Sequence, residues 1–392
     1  MLSIDEARAG VLAEARGLEA EDVAVSDALG RVLAEDVPAA QDVPGFANSA
    51  MDGFAVRSGG AGRRLRIVGE SRAGAPAAVA VGEGEAVRIS TGAMLPAGAD
   101  AVLQIELCEV DGDAIVLGDD VAPDRNVRHP GEDMAAGARV LAAGKPLGPA
   151  ELGVAVNAGR ATVRCARRPR VAILATGDEL VDPGAPLGPG QIHDSNAPML
   201  RALATQAGAR ATTRRLPDDR AATEAAIGEA LDGADLVVLS GGVSVGPHDH
   251  VKPALAAQGV EEVFWRVALR PGRPTWFGVR RSDQTLVLGL PGNPVSAYVT
   301  FVLFARPALA ALQGADPRLP MRRARLAVAV ARHPDRDECV RVAIDATGAA
   351  TPTGPQGSHV LSSLLGADGL AVVPRGEGAL APGSEVDVYP AA

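Results

Sequence analysis

The middle of the chain carries short hydrophobic runs without polar alternation, and segments of helical pattern separate them. Such runs are typical of parallel strands that are covered on both faces, and their alternation with helices predicts an α/β unit on a parallel sheet. Runs of this kind predict strands at 171–174, 235–240 and 285–290, and a further strand is predicted at 211–216. The predicted helices are 198–206, 220–231 and a long apolar one that ends near residue 312.

The segments on either side of this unit consist of short strand-like pieces separated by Gly, Pro and Asp. Residues 42–135 have no long helical period, which predicts an inserted β domain. Ser3 and Glu6 form a capping box, so a helix should run to about Arg16.

The hydrophobic pattern thus divides the chain into four predicted domains, of which the first is discontinuous. The domains are 1–41 with 136–168 as an N-terminal linker domain, 42–135 as a small β domain, 169–314 as the α/β domain, and 315–392 as a second small β domain.

Composition supports several folded domains and excludes some functions. The chain has 392 residues, of which 47% are hydrophobic, so it can bury real cores. Its net charge of −10, without a basic tail, argues against nucleic-acid binding. No apolar run approaches a membrane span, and the acidic N-terminus lacks a signal-peptide core. The three cysteines are far apart and in no metal spacing, which predicts small apolar core residues in a protein of the reducing cytoplasm.

Three predicted strands end in loops that combine glycine with a hydroxyl or a carboxylate. The loops are 175–179, 240–249 and 291–296. Ligands of open α/β sheets bind at the carboxyl ends of the strands, where glycine loops can cradle phosphate or another oxyanion. Each loop alone is compatible with an ordinary turn, but three at one sheet edge indicate an anion site.

Charged residues near these loops extend this interpretation. Arg270 and Arg273 flank a Pro-Gly pair, and two guanidinium groups on a stiff turn suit a multivalent oxyanion, although a solvated basic turn is an equal alternative. Carboxylates beside phosphate loops are suited to Mg²⁺. The candidates are Asp178, Glu179, Asp218, Asp219 and Asp249. The chain contains no P-loop, no Gly-x-Ser-x-Gly elbow and no context for a nucleophilic cysteine.

Seven motifs, in order and over nearly the whole chain, resemble the molybdopterin molybdenumtransferase family, which includes proteins similar to the E domain of gephyrin. The motifs are Asn48-Ser49-Ala50-Met51-Asp52-Gly53-Phe54-Ala55, Thr91-Gly92-Ala93, Gly131-Glu132-Asp133, Thr176-Gly177-Asp178-Glu179-Leu180, Asp194-Ser195-Asn196, Ser240-Gly241-Gly242-Val243-Ser244-Val245-Gly246 and Pro291-Gly292-Asn293-Pro294-Val295-Ser296.

The resemblance implies an elongated multidomain chain of α/β plus β class. The α/β domain would bind molybdopterin, the C-terminal domain would be barrel-like, and the N-terminal domain would support a homodimer with its active site in the cleft between subunits. The implied reaction is Mg²⁺-dependent: adenylylated molybdopterin and molybdate give molybdenum cofactor and AMP. Molybdopterin adenylyltransferase and molybdoenzymes that accept the cofactor are the implied partners, with no nucleic acid and no membrane.

The resemblance also implies roles for individual residues. The implied catalytic residues are Asp52, Thr91, Asp133, Glu179, Asp218 and Asp249, of which Asp249, Glu179 and Asp218 would hold the metal. The implied substrate-binding residues are Thr176, Gly177, Asp178, Asp194, Ser195, Asn196, Ser240, Gly241, Gly242, Ser244, Gly246, Arg270, Pro271, Arg273, Pro291, Asn293, Pro294, Ser296, Arg341 and Ser362. Asp219 and Ser363 are alternatives to Asp218 and Ser362.

The chain departs from the family pattern at one motif, and two other functions are alternatives to the predicted one. The family often has Lys-Pro-Gly-Lys-Pro where this chain has Arg270-Pro271-Gly272-Arg273-Pro274, so a planar fork replaces a point cation at two positions. The first rival is a molybdopterin adenylyltransferase, against which the flanking β domains argue. The second is a non-catalytic scaffold or cofactor carrier like gephyrin, although the chain lacks a long linker and a fused partner domain.

Overall fold

A six-stranded mixed sheet forms the centre of the computed structural model, which describes residues 1–216, 219–242 and 250–391. In spatial order its strands are Arg210–Arg215, Arg170–Ala175, Leu236–Ser240, Thr285–Leu290, Trp276–Arg280 and Val260–Trp265. The first four are mutually parallel, as predicted; three of them are apolar runs, whereas Arg210–Arg215 is a polar, largely exposed edge strand. Trp276–Arg280 runs antiparallel to both of its neighbours and makes the sheet mixed.

Two hydrophobic layers cover the faces of this sheet. Val171 and Ile173 face one layer, whereas Ala172 and Leu174 face the other, because successive side chains of a strand alternate. The covering helices are Ile4–Glu14, Asn196–Gln206, Arg220–Gly233, Val251–Ala257 and the helix 294–312, whose middle turn, Phe301–Ala305, is π-helical. This arrangement confirms the predicted α/β unit.

The N-terminal helix Ile4–Glu14 begins with the predicted capping box. The amide of Glu6 donates to Ser3 Oγ at 3.2 Å, and the amide of Ser3 donates to Glu6 Oε2 at 2.8 Å. Its buried residues belong to the same core as Phe264 and Leu303 of the central unit. The first helix therefore packs on the central sheet rather than on the segments that follow it in sequence.

Residues before and after the insertion share one small core. Ala20–Ala24 pairs with Thr162–Ala166 and Val37–Pro38 pairs with Arg139–Leu141, while the helix Pro149–Asn157 covers them. The chain thus leaves this unit before residue 42 and returns to it.

The inserted segment forms a six-stranded sheet of its own. In spatial order the strands are Ala101–Gln104, Gly53–Val56, Glu85–Ile89, Arg64–Ser71, Ala114–Leu117 and Cys108–Asp111, with the short pair Asn48–Ser49 and Val127–Arg128 beside it. Phe54, Leu65, Ile115 and Leu117 fill its core.

The C-terminal segment forms a closed five-stranded barrel. Its strands are Arg322–Leu326, Asp337–Ile344, Ala349–Pro352, Gly369–Val373 and Glu385–Pro390. The short strand Leu269–Arg270 of the central unit pairs in parallel with the start of Asp337–Ile344. Backbone hydrogen bonding therefore joins the barrel to the central unit, and the whole confirms the predicted α/β plus β class.

The structure also shows where the three cysteines and the long apolar helix lie. Cys165 and Cys339 are buried, as expected, whereas Cys108 is only partly buried. The expectation that no apolar run approaches a membrane span was wrong on length and composition, since the helix Pro294–Leu312 has both; 83% of its most apolar window is, however, buried inside the protein. Since core helices share this composition, the helix is accounted for by packing.

Asp235 connects the central sheet to the segment that enters it from the N-terminal unit. Its carboxylate accepts two hydrogen bonds from the Arg167 guanidinium, at 2.6 and 2.7 Å, and one from the amide of Arg170 at 2.7 Å. Burial raises the pKa of Asp235, but the hydrogen bonds from Arg167 and Arg170 outweigh burial, and the net pKa lies below its usual value.

We predict that Asp235→Asn lowers the free energy of unfolding at pH 7 by about 2 kcal/mol, since charge-assisted hydrogen bonds are lost at a largely buried site. The folded-state pKa is depressed, so this stabilisation is present at neutral pH and disappears as the pH falls through that value. Urea unfolding at several pH values would measure it. Asp316→Asn, which removes a carboxylate from the exposed pair with Arg318, is the control and should leave the midpoint unchanged. Equal effects of the two substitutions would contradict the prediction.

Candidate functional site

A cavity of about 750 Å³ opens at the carboxyl ends of the parallel strands. The predicted loops after Arg170–Ala175, Leu236–Ser240 and Thr285–Leu290 all contribute to its wall. Because the carboxyl ends of parallel strands meet at one sheet edge, loops that are distant in sequence come together there. The wall consists of Thr176, Glu179, Leu180, Ile192, His193, Asp194, Ser195, Asn196, Ser240, Gly241, Gly242, Pro274, Pro291, Gly292, Asn293, Pro294, His359 and Leu361.

Two glycines allow the second strand end to pack closely against the first. Gly241 and Gly242 have φ of +86° and +66°, and a Cβ at either position would lie 2.9 Å from Thr176 Oγ1. The amide of Thr176 donates to Ser240 O at 3.2 Å, and the amide of Gly241 donates to Leu290 O at 3.1 Å. These glycines are therefore required by close backbone approach as well as by the turn.

Asn196 joins two of the loops through one side chain. Its Nδ2 donates to Ser240 Oγ at 2.9 Å and to Gly292 O at 2.7 Å. Asp194 Oδ1 accepts from the amide of Ala197 at 3.0 Å, which satisfies an amide in the first turn of the helix Asn196–Gln206. The start of this helix is thereby anchored in the cavity wall.

The C-terminal segment closes one side of the cavity. Asn293 Nδ2 donates to Ser358 Oγ at 2.8 Å, and the amide of Val295 donates to Ser358 O at 3.1 Å. These bonds bring the loop that carries His359 and Leu361 against the third strand end. The sequence motifs missed both residues, and also His193, because none of them lies in a glycine loop or a charged pair. Pro274 lies in the basic turn that the sequence singled out, but it was given no role of its own.

The basic turn 270–274 lies beside the cavity. Pro274 is part of the wall, whereas Arg270 and Arg273 are exposed and outside it. Arg270 Nη1 lies 3.6 Å from Glu338 Oε2 of the barrel, and Thr275 Oγ1 donates to Gly272 O at 2.6 Å within the turn. The turn therefore places two cations at the junction of the central unit and the barrel.

Besides the arginines of the basic turn, the predicted substrate-binding residues Ser296, Ser362 and Arg341 also lie outside the cavity wall. Ser296 is buried in the helix 294–312, and Ser362 is exposed beyond the wall. Arg341 is 1% exposed; its Nε donates to Ser363 Oγ at 3.1 Å and its Nη2 to Gly357 O at 3.2 Å. Burial lowers the pKa of Arg341. In this chain Arg341 supports the loop that carries His359.

The predicted residues of the inserted sheet form a separate group. Asp52 Oδ1 accepts from the amide of Thr91 at 2.8 Å. Asp133 lines a second cavity, of about 480 Å³, together with Asn48, Arg128 and Glu132. Within one chain, the cavity wall at the strand ends thus contains none of Asp52, Thr91 and Asp133.

The remaining predicted residues either lie near the cavity wall or are outside the residues that the structure describes. Gly177 and Asp178 adjoin wall residues, and Pro271 belongs to the basic turn. Asp218, Ser244, Gly246 and Asp249 lie outside the described residues. Within the part of the chain that is described, no group of three His, Cys, Asp or Glu could hold a metal ion. Glu179 and Asp194 are the carboxylates of the described cavity wall.

Three family models match the chain in order. They are the MoeA N-terminal region (domains I and II) over residues 2–159, a probable molybdopterin binding domain over 172–311, and the MoeA C-terminal region (domain IV) over 323–391. The cavity wall draws on the second match and, through His359 and Leu361, on the third.

Whole-chain comparisons agree with these matches. Molybdopterin molybdenumtransferase 2 of Mycobacterium tuberculosis is 37% identical over 99% of both chains. The molybdopterin molybdenumtransferase of Haemophilus influenzae is 36% identical over 100% of this chain and 98% of its own. The crystal structure of a molybdopterin biosynthesis protein from Pyrococcus horikoshii superposes with a TM-score of 0.86 at 28% identity and covers 100% of both chains.

We predict that Asn196→Ala lowers the free energy of unfolding by about 1–2 kcal/mol, because two hydrogen bonds between neighbouring loops are lost. Urea denaturation would measure the change. Asn157→Ala, at an exposed position on the helix Pro149–Asn157, is the matched control and should change stability little. If both variants unfolded at the same urea concentration as the wild type, Asn196 would not be holding the loops together.

Proposed function

The chain belongs to the molybdopterin molybdenumtransferase family, and from this premise we propose that it inserts molybdenum into molybdopterin. Membership makes it a transferase of molybdenum cofactor biosynthesis. The proposed reaction takes adenylylated molybdopterin and molybdate, cleaves the pyrophosphate link, releases AMP and leaves molybdenum on the dithiolene. The observation that carries the proposal is the cavity at the strand ends, where glycine loops meet beside a turn with two arginines.

The substrate has two phosphates, and the cavity offers the backbone groups that phosphate needs. Gly241, Gly242 and Gly292 line the wall, so backbone can approach phosphate oxygens without a side chain in between. The helices Asn196–Gln206 and 294–312 begin at the same wall, and a helix N-terminus favours negative charge. We assign the phosphate groups of the substrate to this part of the cavity.

Molybdate is a second anion, and bringing it to a site lined by carboxylates requires positive charge. Arg270 and Arg273 are exposed on the turn that reaches the wall at Pro274. The cis peptide bond before Pro271 belongs to this turn. We assign to the two guanidinium groups the binding of molybdate next to the dithiolene, through forked hydrogen bonds to its oxygens.

Mg²⁺ is part of the proposal because it neutralises pyrophosphate oxygens. Mg²⁺ is commonly held by one or two carboxylates plus substrate phosphates, so a small protein donor set is sufficient. Glu179 and Asp194 supply hard oxygen donors at the wall, and this donor set fits such an ion. Glu179 would hold it, with Asp218 and Asp249 as the further ligands implied by the resemblance. When bound, the ion would withdraw charge from the pyrophosphate link.

A homodimer would complete the site. Asp52 and Thr91 are hydrogen-bonded to each other at the ends of strands of the inserted sheet, and Asp133 of the same segment lines the cavity of about 480 Å³. The same sheet exposes Phe46, Met51 and Met94 by 43%, 37% and 44%, an apolar surface suited to contact with another chain. We propose that the inserted sheet of one subunit faces the strand-end cavity of the other.

The division into domains and the location of the protein remain part of the same proposal. We retain the boundaries 1–41 with 136–168, 42–135, 169–314 and 315–392, except that the helix Ile4–Glu14 packs in the core of the central unit. We place the enzyme in the cytoplasm, with molybdopterin adenylyltransferase as the source of its substrate and molybdoenzymes as acceptors of its product.

The direct test is AMP release from adenylylated molybdopterin with and without molybdate. We expect turnover that depends on both molybdate and Mg²⁺, measured by chromatography of the nucleotide. Pyrophosphate release from ATP and molybdopterin would instead identify an adenylyltransferase. Cofactor binding without any turnover would identify a carrier or scaffold.

The dimer proposal predicts complementation between two inactive variants. Glu179→Gln alters the strand-end cavity, and Asp133→Ala alters the inserted sheet, so each alone should lose most activity. If one site draws on both subunits, random mixing at equal amounts leaves about a quarter of the wild-type sites intact. AMP release by co-expressed variants would measure this recovery. No recovery, although mixed dimers are isolated with two affinity tags, would contradict the shared site.

A further inference from the structure

A second concave site lies at the opposite edge of the central sheet, where the parallel strands begin. It is a cavity of about 220 Å³ lined by Glu19, Glu21, Arg167, Arg168, Arg170 and Arg210. Arg170 and Arg210 are the first residues of neighbouring strands and stand opposite each other in register. The cavity is therefore separated from the strand-end site by the length of the sheet.

Arginine outnumbers carboxylate in this second cavity. Arg167 is fully engaged: it contacts Glu19 at 2.6 Å and Asp235 at 2.6 Å. Asp235 also lies 3.5 Å from Arg170, and Glu21 lies 2.5 Å from Arg31, which adjoins the cavity. Within the described chain, five guanidinium groups thus share three carboxylates, a net charge of +2.

The excess charge resides on Arg168 and Arg210. Neither has a carboxylate within ion-pairing distance in the described ranges. Arg168 is half-buried and donates to Gly208 O at 3.2 Å, a neutral acceptor. Burial lowers the pKa of Arg168, and the neighbouring Arg31 and Arg210 lower it further. Arg168 and the exposed Arg210 are therefore held near each other, and Glu21, the carboxylate that acts on Arg168, is already paired with Arg31.

We propose that this cavity binds a tetrahedral oxyanion of the phosphate and sulfate class. A dianion matches the net charge of +2, and guanidinium groups bind such oxygens through forked hydrogen bonds. The volume of about 220 Å³ exceeds the roughly 30 Å³ of one water molecule several-fold. The site is independent of the proposed reaction, because it lies at the other edge of the sheet.

The position of the cavity gives the bound anion a structural effect. Glu19 and Glu21 lie at the start of the N-terminal ribbon formed by Ala20–Ala24 and Thr162–Ala166, whereas Arg170 and Arg210 belong to the central sheet. Arg168 lies on the segment that connects the two. An anion between these residues would join the N-terminal unit to the central sheet and stabilise their contact.

The experiment measures thermal unfolding of the full chain in sodium phosphate, sodium sulfate or sodium chloride at equal ionic strength. We expect a saturable rise of Tm with phosphate and with sulfate, because a ligand that binds the folded state stabilises it. AMP forms a further arm, because as a product of the proposed reaction it should bind the strand-end cavity and raise Tm there. A Tm rise with inorganic phosphate that is lost in Arg210→Gln, while the rise with AMP is kept, would identify the free ion as the ligand of this second cavity. A rise no larger than that in chloride would overturn the proposal.

Three variants assign the effect to this cavity. Arg210→Gln should weaken phosphate binding about tenfold or more, as calorimetric titration would show, because one of the two unpaired cations is lost. Arg322→Gln, at an exposed position on the barrel, is the matched control for general charge and should bind as the wild type does. Arg270→Gln with Arg273→Gln removes cations at the other site and should also retain this binding. Unchanged phosphate binding in Arg210→Gln would contradict the proposal.

The anion-free stability of Arg210→Gln separates a binding role from a structural one. Because Arg210 repels Arg168 when no anion is present, its removal should leave Tm unchanged or raise it. If Arg210 served only to stabilise the fold, the variant would unfold earlier in chloride and in phosphate alike. A lower Tm of equal size in both salts would overturn the proposal.

Discussion

The backbone groups at the carboxyl ends of the parallel strands have no further strand to pair with, and the functional site depends on how the chain satisfies them. Some of these groups bond to one another: the amide of Thr176 donates to Ser240 O, and the amide of Gly241 donates to Leu290 O. Asn196 Nδ2 donates to one further backbone group, Gly292 O, and ties it to the neighbouring strand end by also donating to Ser240 Oγ. Glycine is needed where these strand ends approach each other, and the same glycines leave room for a ligand.

Pairing between the barrel and the central unit completes this edge. Leu269–Arg270 adds to the barrel strand Asp337–Ile344, so the basic turn that follows is held at the junction. The buried Arg341 organises the loop of the barrel that carries His359, and Asn293 binds that loop through Ser358. The C-terminal segment thus shapes a cavity whose glycine loops all come from the central unit. Separation of the two units would open one wall of the site.

Much of the fold and part of the site could be predicted from the amino-acid order. Continuous apolar runs at 171–174, 235–240 and 285–290 indicated the buried strands, because a strand covered on both faces has no polar position. Val260–Trp265 and Trp276–Arg280 were missed, since Glu261, Glu262 and Gly278 interrupt their apolar pattern. His193 and His359 were missed for a related reason: a single histidine in a polar loop has no local signal.

Local pattern alone determined the strands, the capped first helix, the glycine loops and the resemblance to molybdopterin molybdenumtransferases, because each depends on neighbouring residues. Tertiary structure alone decided which distant side chains share a surface. It buried Arg341, brought His359 to the cavity and left Asp52, Thr91 and Asp133 in the inserted segment, away from that cavity within one chain. It also gathered, from a linker and an edge strand, two arginines that have no ion pair within the described residues. Such placements depend on how strands pair and pack across the chain, and sequence spacing does not record these contacts.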